Sequence, residues 1–465
     1  MNTQTQSLIP RKSPKLTAAL RGEGFVGRVI EPADEDYDAA RACWNGAVDR
    51  RPAAIARASD AEDVAAAIRA ARAAEMPLTV RGGGHSVSGR SLRDGALCID
   101  LRALNRVRVE PASRSVRVGG GALLSELDAA TQRHGLAVPG GQISHTGVGG
   151  LTLGGGVGWL MRHHGLTIDS LRAAHAVLSD GQRVRASEEE HPDLFWALRG
   201  GGGDFAVVSE FEFQGRRVGP TVLGGMLIHP WERAGAAIRS AREVMETAPD
   251  ELTVFVALIT APPQDPFPRE LWGRKAVAVA AAWSGELAAG ERVLAPLRSA
   301  VRPLVDLIGP MPYTALQSML DPTAPPGFAY YDRQHYLDRV GDDFVAALLT
   351  GFERVPTPQS HVMIGWLGGA VDRVPAGATA FGHRSARAMA WIIGCSGSEP
   401  LPPTADWVRE LWDDTSAFAA GGAYLNALNR ERPTRDAFAA DVWERLLAVK
   451  RRYDPEGVLD AHGIR

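Results

Sequence analysis

Apolar residues recur along the chain at two spacings. Val64, Ile68 and Ala71 fall three or four apart behind Ser59-Asp60-Ala61-Glu62, which reads as a capping box with Ser59 at the cap, so a helix is predicted here. Pro77-Leu78-Thr79-Val80 and Ala96–Leu101 read as short strands. Arg106–Val109 and Ser115–Val118 form a predicted hairpin around Pro111-Ala112-Ser113, and Leu123–His134 a helix stopped by Gly135. Leu171–Leu178 and Arg183–Ala186 flank Asp180-Gly181, a hairpin turn. Phe205, Val207, Phe211 and Phe213 recur at even spacing, the period of a half-buried strand. Residues from about 50 to 215 therefore read as a mixed α/β unit.

The pattern changes after Gly219-Pro220. Strand-like runs at Thr253–Ile259, Ala276–Ala282, Val362–Leu367 and Ala388–Ile393 alternate with helical spacing at Glu232–Glu246, Glu286–Ser299, Asp342–Gly351 and Ala405–Ala419. This predicts a sheet covered by helices, a second domain. Phe438–Lys450 is a further helix, with Ala439, Val442, Leu446 and Val449 on one face. The run Glu188-Glu189-Glu190 is expected to be a solvated helix start, where carboxylates suit the N-terminal dipole.

Composition narrows the function classes. A length of 465 residues allows two or three domains, because single cores stop growing near ~250–300 residues. A net charge of −3 argues against a nucleic-acid partner, and no run of about 18 apolar residues predicts a membrane span. The N-terminal MNTQTQSLIPRKSPKL lacks the apolar core of a secretory signal and is expected to be a loose tail. Cys43, Cys98 and Cys395 are odd in number and widely spaced. That fits a reduced, cytoplasmic protein and gives no metal-ligand spacing.

The 51 glycines change the picture most, because they cluster. Arg81-Gly82-Gly83-Gly84-His85-Ser86 offers successive backbone N–H groups free of side chains. Alone it reads equally as a tight turn or as a nest for a pyrophosphate. A Rossmann loop would need a helix directly behind it, but turn formers follow, and no P-loop pattern is present. Residues 140–158 are denser still, yet Leu151, Leu153, Val157 and Trp159 are interspersed, which a solvated linker would not tolerate. Buried apolar side chains beside bare backbone predict a wall against a flat ligand. Leu198–Phe205 is a third such loop, leading into the even-spaced strand.

These blocks in this order resemble the vanillyl-alcohol-oxidase type of flavoprotein, and within it the berberine-bridge-enzyme-like oxidases. The strings that carry the resemblance are VRGGGHSVSG, SHTGVGGLTLGGGVGWLMRHHGLTID, SEEEHPDLFWALRGGGGDFAVVSEFEF, and at the far end Tyr424-Leu425-Asn426 with RLLAVKRRYDPEGVLD. The resemblance runs from about residue 28 and implies an α+β, two-domain flavoprotein. Its FAD-binding domain has two α/β subdomains, and its substrate domain has an antiparallel sheet backed by helices. The expected boundaries are 1–217 for the N-terminal part of the FAD-binding domain, 218–420 for the substrate-binding domain and 421–465 for a segment returning to the FAD domain.

The resemblance also implies FAD as cofactor, joined through its 8α carbon to the histidine of the RGGGH loop, here His85. Cofactor contacts are then expected from Arg81, Gly82, Gly83, Gly84, His85 and Ser86, from Gly141, Ser144, Thr146, Gly147, Gly149, Gly150, Gly154, Gly156 and Gly158, and from Val207 and Asn426. Tyr424, Asn426, His145 and Thr146 are the catalytic candidates, with a structural role open for His145 and a core role open for Tyr424. Many members make a second flavin bond through a cysteine seven residues before the last glycine of the G-x-G-G block. Counting back from Gly150 gives Ile143, so a single attachment is expected. Tyr330, Tyr331, Tyr336, His335 and His361 are expected to face the flavin. Val362-Met363-Ile364 carries no carboxylate, which favours a tyrosine or histidine as any base.

The function implied is hydride removal from a small alcohol, hemiacetal or amine, in secondary metabolism, with O2 reoxidising the flavin to give H2O2. A dehydrogenase or monooxygenase on the same fold is the alternative, and a flavin-binding protein without turnover or a cofactor-free binder competes from another class. The expected partners are a small-molecule substrate and O2, without nucleic acid or membrane, in a monomer or homodimer.

Overall fold

The computed structural model describes residues 14–397 and 399–465. The first thirteen residues of the expected tail lie outside that range. From Pro14 the chain is already helical, to Gly22, and Leu16 and Leu20 are buried against the helix Ala61–Ala73.

Two sheets build the N-terminal half of the chain. A four-stranded sheet runs in the order Arg28–Ile30, Ala54–Arg57, Leu97–Asp100, Leu78–Arg81; all but the first strand are parallel. An antiparallel sheet follows in the order Val107–Glu110, Ser115–Gly119, Val207–Gln214, Leu171–Val177, Arg183–Ser187. Both expected hairpins are present. The helix Ala440–Tyr453 packs Val442, Leu446 and Val449 against Phe205 and Trp196 of this half, and Leu459 bridges to Leu78.

Two local expectations are corrected. The cap of Ala61–Ala73 is Asp60, whose carboxylate accepts the Asp63 N–H at 2.9 Å. Ser59 instead donates to the buried Asp63 carboxylate, which also takes the Val26 N–H. Glu188–Glu190 do not start a helix. They lie in the turn between Arg183–Ser187 and Pro192–Leu198, where Ser187 Oγ accepts the N–H groups of Glu189 and Glu190.

The strands between Thr221 and Ser396 form an eight-stranded antiparallel sheet with distinct faces. On one, Val254, Val256, Leu258, Ile364, Ala390 and Ile392 are buried under four helices that contribute Ile238, Leu294, Phe344, Leu348, Val408 and Leu411. These helices are Ala234–Thr247, Leu287–Ala300, Asp342–Phe352 and Leu401–Thr415, close to the expected segments. On the other face Phe255 and Met389 meet Trp159, Leu160 and Tyr424. Period-two alternation sends neighbouring residues to opposite faces, so the second face is free to wall a cavity. Two strands of this sheet, Thr221–Pro230 and Ala329–Leu337, break the apolar pattern with Gly224-Gly225 and with Asp332–His335. Among the described residues no helix is long and apolar enough to cross a membrane.

Candidate active site

A cavity of about 360 Å3 lies between the Gly-rich loops and the open sheet face. Ligand pockets typically span roughly 300–1,000 Å3. The strand Leu78–Arg81 delivers the chain into Gly82–Ser86, all of which line the cavity. Arg81 does not line it. Its guanidinium turns back to donate to the carbonyls of Ala40 and Ala42, both at 2.6 Å, and supports the loop from behind. Gly84 has φ +75°, and a Cβ there would lie 2.9 Å from Arg81 Nε. At Gly83 a Cβ would stand 2.5 Å from the Gly147 Cα, so the first two glycine blocks touch backbone to backbone. Neither contact tolerates a side chain.

His85 projects into the cavity from this loop. Its Nε2 is 2.8 Å from His145 Nδ1. Its ring stacks on Trp44, with centroids 4.3 Å apart, and Trp44 stacks in turn on Tyr330 at 3.8 Å. Burial, with repulsion from His145, lowers the His85 pKa to about 3, so the imidazole is neutral at neutral pH. His145 is also lowered by burial, against the pull of Asp321.

The second glycine block divides. Gly141, Ile143, Thr146, Gly147, Gly149, Gly150 and Gly154 line the cavity, and the short helix Val148–Leu153 lies within the block. Ser144 points elsewhere, giving both its N–H and its Oγ to Asp321, at 2.7 and 2.6 Å. Gly156 and Gly158 serve close packing. Gly156 N–H donates to Tyr424 Oη at 3.1 Å, and a Cβ on Gly158 would meet the Gly140 carbonyl. Val207 lines the far, apolar end with Leu78, Leu101 and Leu459.

Tyr424 and Asn426 return to the cavity as a pair. Asn426 Nδ2 donates to Tyr424 Oη at 2.9 Å and to the Leu151 carbonyl at 3.0 Å. Gln334 Oε1 accepts the Tyr424 N–H. Of the aromatic residues expected from the substrate domain, Tyr330 and His361 line the cavity. Tyr331 instead bonds Glu431, Tyr336 stacks on His383, and His335 meets the Trp412 carbonyl.

The residue that sequence reasoning missed is Asp332. It lines the cavity on the strand Ala329–Leu337, two residues from Tyr330 and on the same face. Strand parity was the available signal. Trp391 Nε1 donates to Asp332 Oδ2 at 2.7 Å, while Oδ1 is buried without a partner. Burial raises its pKa to about 7. Met363, Trp391 and Ile393 complete an apolar surround.

The residues present fit FAD. Side-chain-free backbone at Gly82–Gly84 suits a diphosphate, the apolar lining of Leu78, Leu101 and Val207 suits a flat base, and the Trp391–Tyr424 end suits a flavin ring.

The comparisons agree with that geometry. An FAD binding domain profile matches residues 52–187. (R)-6-hydroxynicotine oxidase of Paenarthrobacter nicotinovorans is 30% identical over 96% of this chain and 97% of its own length. The chain belongs to the FAD-linked oxidases of the vanillyl-alcohol-oxidase type. The solved 6-hydroxy-D-nicotine oxidase of Arthrobacter nicotinovorans superposes on this oxidase-family chain with a TM-score of 0.85 at 27% identity, covering 95% of this chain and 98% of that one. The wild-type berberine-bridge-enzyme-like protein 1 of Physcomitrella patens shares the fold, with a TM-score of 0.86 at 20% identity over 97% and 99% of the two chains. The flavoprotein is therefore an FAD-dependent oxidoreductase.

Proposed function

We propose that this flavoprotein oxidises a small, largely apolar alcohol, hemiacetal or amine, with Asp332 as the base and O2 as the electron acceptor. The observation that carries the reading is the orphaned Oδ1 of Asp332, buried among Trp391, Met363 and Tyr330 at the cavity's aromatic end. FAD, when bound, supplies the hydride acceptor and its reoxidation by O2 to give H2O2. Asp332, ionised above about pH 7, takes the hydroxyl or amine proton as hydride leaves the adjacent carbon. Trp391 fixes the carboxylate's orientation through Oδ2 and leaves Oδ1 for substrate. Tyr424 and Asn426 hold the floor of the site through their mutual bond and the Gly156 N–H.

His85 is the covalent anchor in this reading, since a neutral imidazole is the nucleophile such a bond requires. Glucooligosaccharide oxidase of Acremonium strictum carries a 6-S-cysteinyl, 8α-N1-histidyl FAD. Here Ile143 lines the cavity in place of a cysteine, and Cys43, Cys98 and Cys395 are buried elsewhere, which supports a single bond. The free thiols also support a reducing, cytoplasmic location. The FAD-binding part spans 1–217 and 421–465, and the substrate part 218–420. The hydroxynicotine substrate of the relative above supports the amine choice within this class.

Stopped-flow reoxidation of substrate-reduced protein in air tests the oxidase reading. Return of the oxidised spectrum within seconds, with stoichiometric H2O2, is expected. Reoxidation only by an added acceptor would make the protein a dehydrogenase, and label from 18O2 in the product would make it a monooxygenase.

A further inference from the structure

The stretch just beyond the first glycine loop carries a cation whose partner is missing. Ser86 Oγ accepts the Arg90 N–H at 3.1 Å, which ties Arg90 directly behind the loop. Arg430 secures the same stretch from outside, donating to the Ser88 carbonyl at 2.7 Å and to that of Gly89 at 3.2 Å. The Arg90 side chain thus enters the cavity wall beside Gly202, Gly203, Ala461 and His462. Its Nε is buried without a hydrogen-bond partner, and Nη1 makes one long contact, 3.5 Å to the Ala461 carbonyl.

No carboxylate among the described residues lies within salt-bridge range of Arg90. The two nearest that its charge feels, Asp204 and Asp460, are already engaged. Asp204 accepts the N–H groups of His462, Gly463 and Ile464 and faces His462 Nδ1. Asp460 pairs with Arg465. The contrast lies at the terminal nitrogens: Arg384, whose Nε is also unpartnered, pairs with Asp169 through both of them, and Arg162 caps three carbonyls, whereas Arg90 has only the long Ala461 contact. A half-buried guanidinium with no counter-charge is costly, and its planar fork matches phosphate oxygens.

We propose that Arg90 is the charge partner of the FAD diphosphate, holding the AMP-bearing half of the cofactor independently of the bond at His85. The inference rests on the FAD reading of the cavity. A glycine nest offers partial charges only. A full positive charge at its rim adds affinity for the dianionic bridge and leaves the ring end untouched.

The test uses His85→Ala, in which flavin is exchangeable, with and without Arg90→Met. Dissociation constants are measured by fluorescence quenching for FAD and for riboflavin, which lacks phosphate. The expected result is FAD binding about 10–100-fold weaker in Arg90→Met, most marked at low salt, with riboflavin binding unchanged and Arg90→Lys recovering part of the loss. Equal loss for FAD and riboflavin would show a merely structural role, and unchanged FAD affinity would show that Arg90 serves some other anion; either overturns the proposal. In the wild-type background, Arg90→Met should raise the FAD concentration that half-saturates loading of apoprotein from riboflavin-starved cells. This second measurement decides the matter if His85→Ala does not fold. A wild-type protein that takes up no FAD would instead sink the reading of the cavity itself.

Discussion

His85 Nε2 and His145 Nδ1 stand 2.8 Å apart, hydrogen-bonded to each other. The bond fixes the His85 ring and reserves its other nitrogen, Nδ1, for the cavity. With the proton on Nε2, Nδ1 holds a lone pair, the form that can bond carbon. His85→Ala is expected to release all flavin on acid precipitation. His145→Ala is expected to keep FAD bound but slow covalent incorporation about tenfold or more, read as the acid-stable yellow fraction over time. Full, rapid attachment in His145→Ala would remove that role.

The Asp332 carboxyl, held at about pKa 7 by burial, must be ionised to accept a proton. The expected kcat/KM therefore rises with pH through about 7 and then levels. Asp332→Asn should lose about 10²–10⁴-fold in kcat and show no such limb. A limb that persists in the variant would assign it to another group.

A second buried carboxylate affects stability rather than chemistry. Asp128 faces Gln317 at 3.0 Å, has an unpartnered Oδ1, and is pushed up to about pKa 7 by burial. Its folded pKa exceeds its unfolded one, so its contribution is fully present below about pH 4 and is lost as pH rises through 7. Asp128→Asn should therefore raise the melting temperature by a few degrees at pH 8 relative to wild type, with little change at pH 4. A gain independent of pH would contradict this assignment.

Gly83 and Gly147 meet through main-chain atoms, which have no side chain to swing aside. Gly83→Ala should sharply reduce flavin content in purified protein, read as the ratio of flavin to protein absorbance. Gly309→Ala, with open space around its Cβ position, should leave it unchanged. Equal flavin content in the two variants would mean that the loops can part without loss.

Much of this was legible in the residues because glycine density and strand periodicity are local signals. Gly82–Ser86, the even-spaced Val207–Gln214 and the helix layer over the sheet all announce themselves within a dozen positions. Asp332 does not. It sits in Tyr331-Asp332-Arg333-Gln334-His335, a polar run that hides a strand, and only pairing with Ala388–Ser396 shows which side chains face inward. Ser144, Gly156 and Gly158 belong to the block expected to touch the cofactor, yet the chain spends them on Asp321, Tyr424 and Gly140. Proximity in sequence could not distinguish lining from support. Arg90 was equally silent, since its meaning lies in partners it lacks.

Asp204 gathers the backbone of residues 462–464, and Leu459 lies alongside Leu78. Part of the cavity wall is thus made about 380 residues after the strand it joins. Enclosure of the dinucleotide must therefore wait until residue 459 has left the ribosome. Folding of the N-terminal half can begin earlier, but a nascent chain halted before residue 459 would present an open trough instead of a closed holding site.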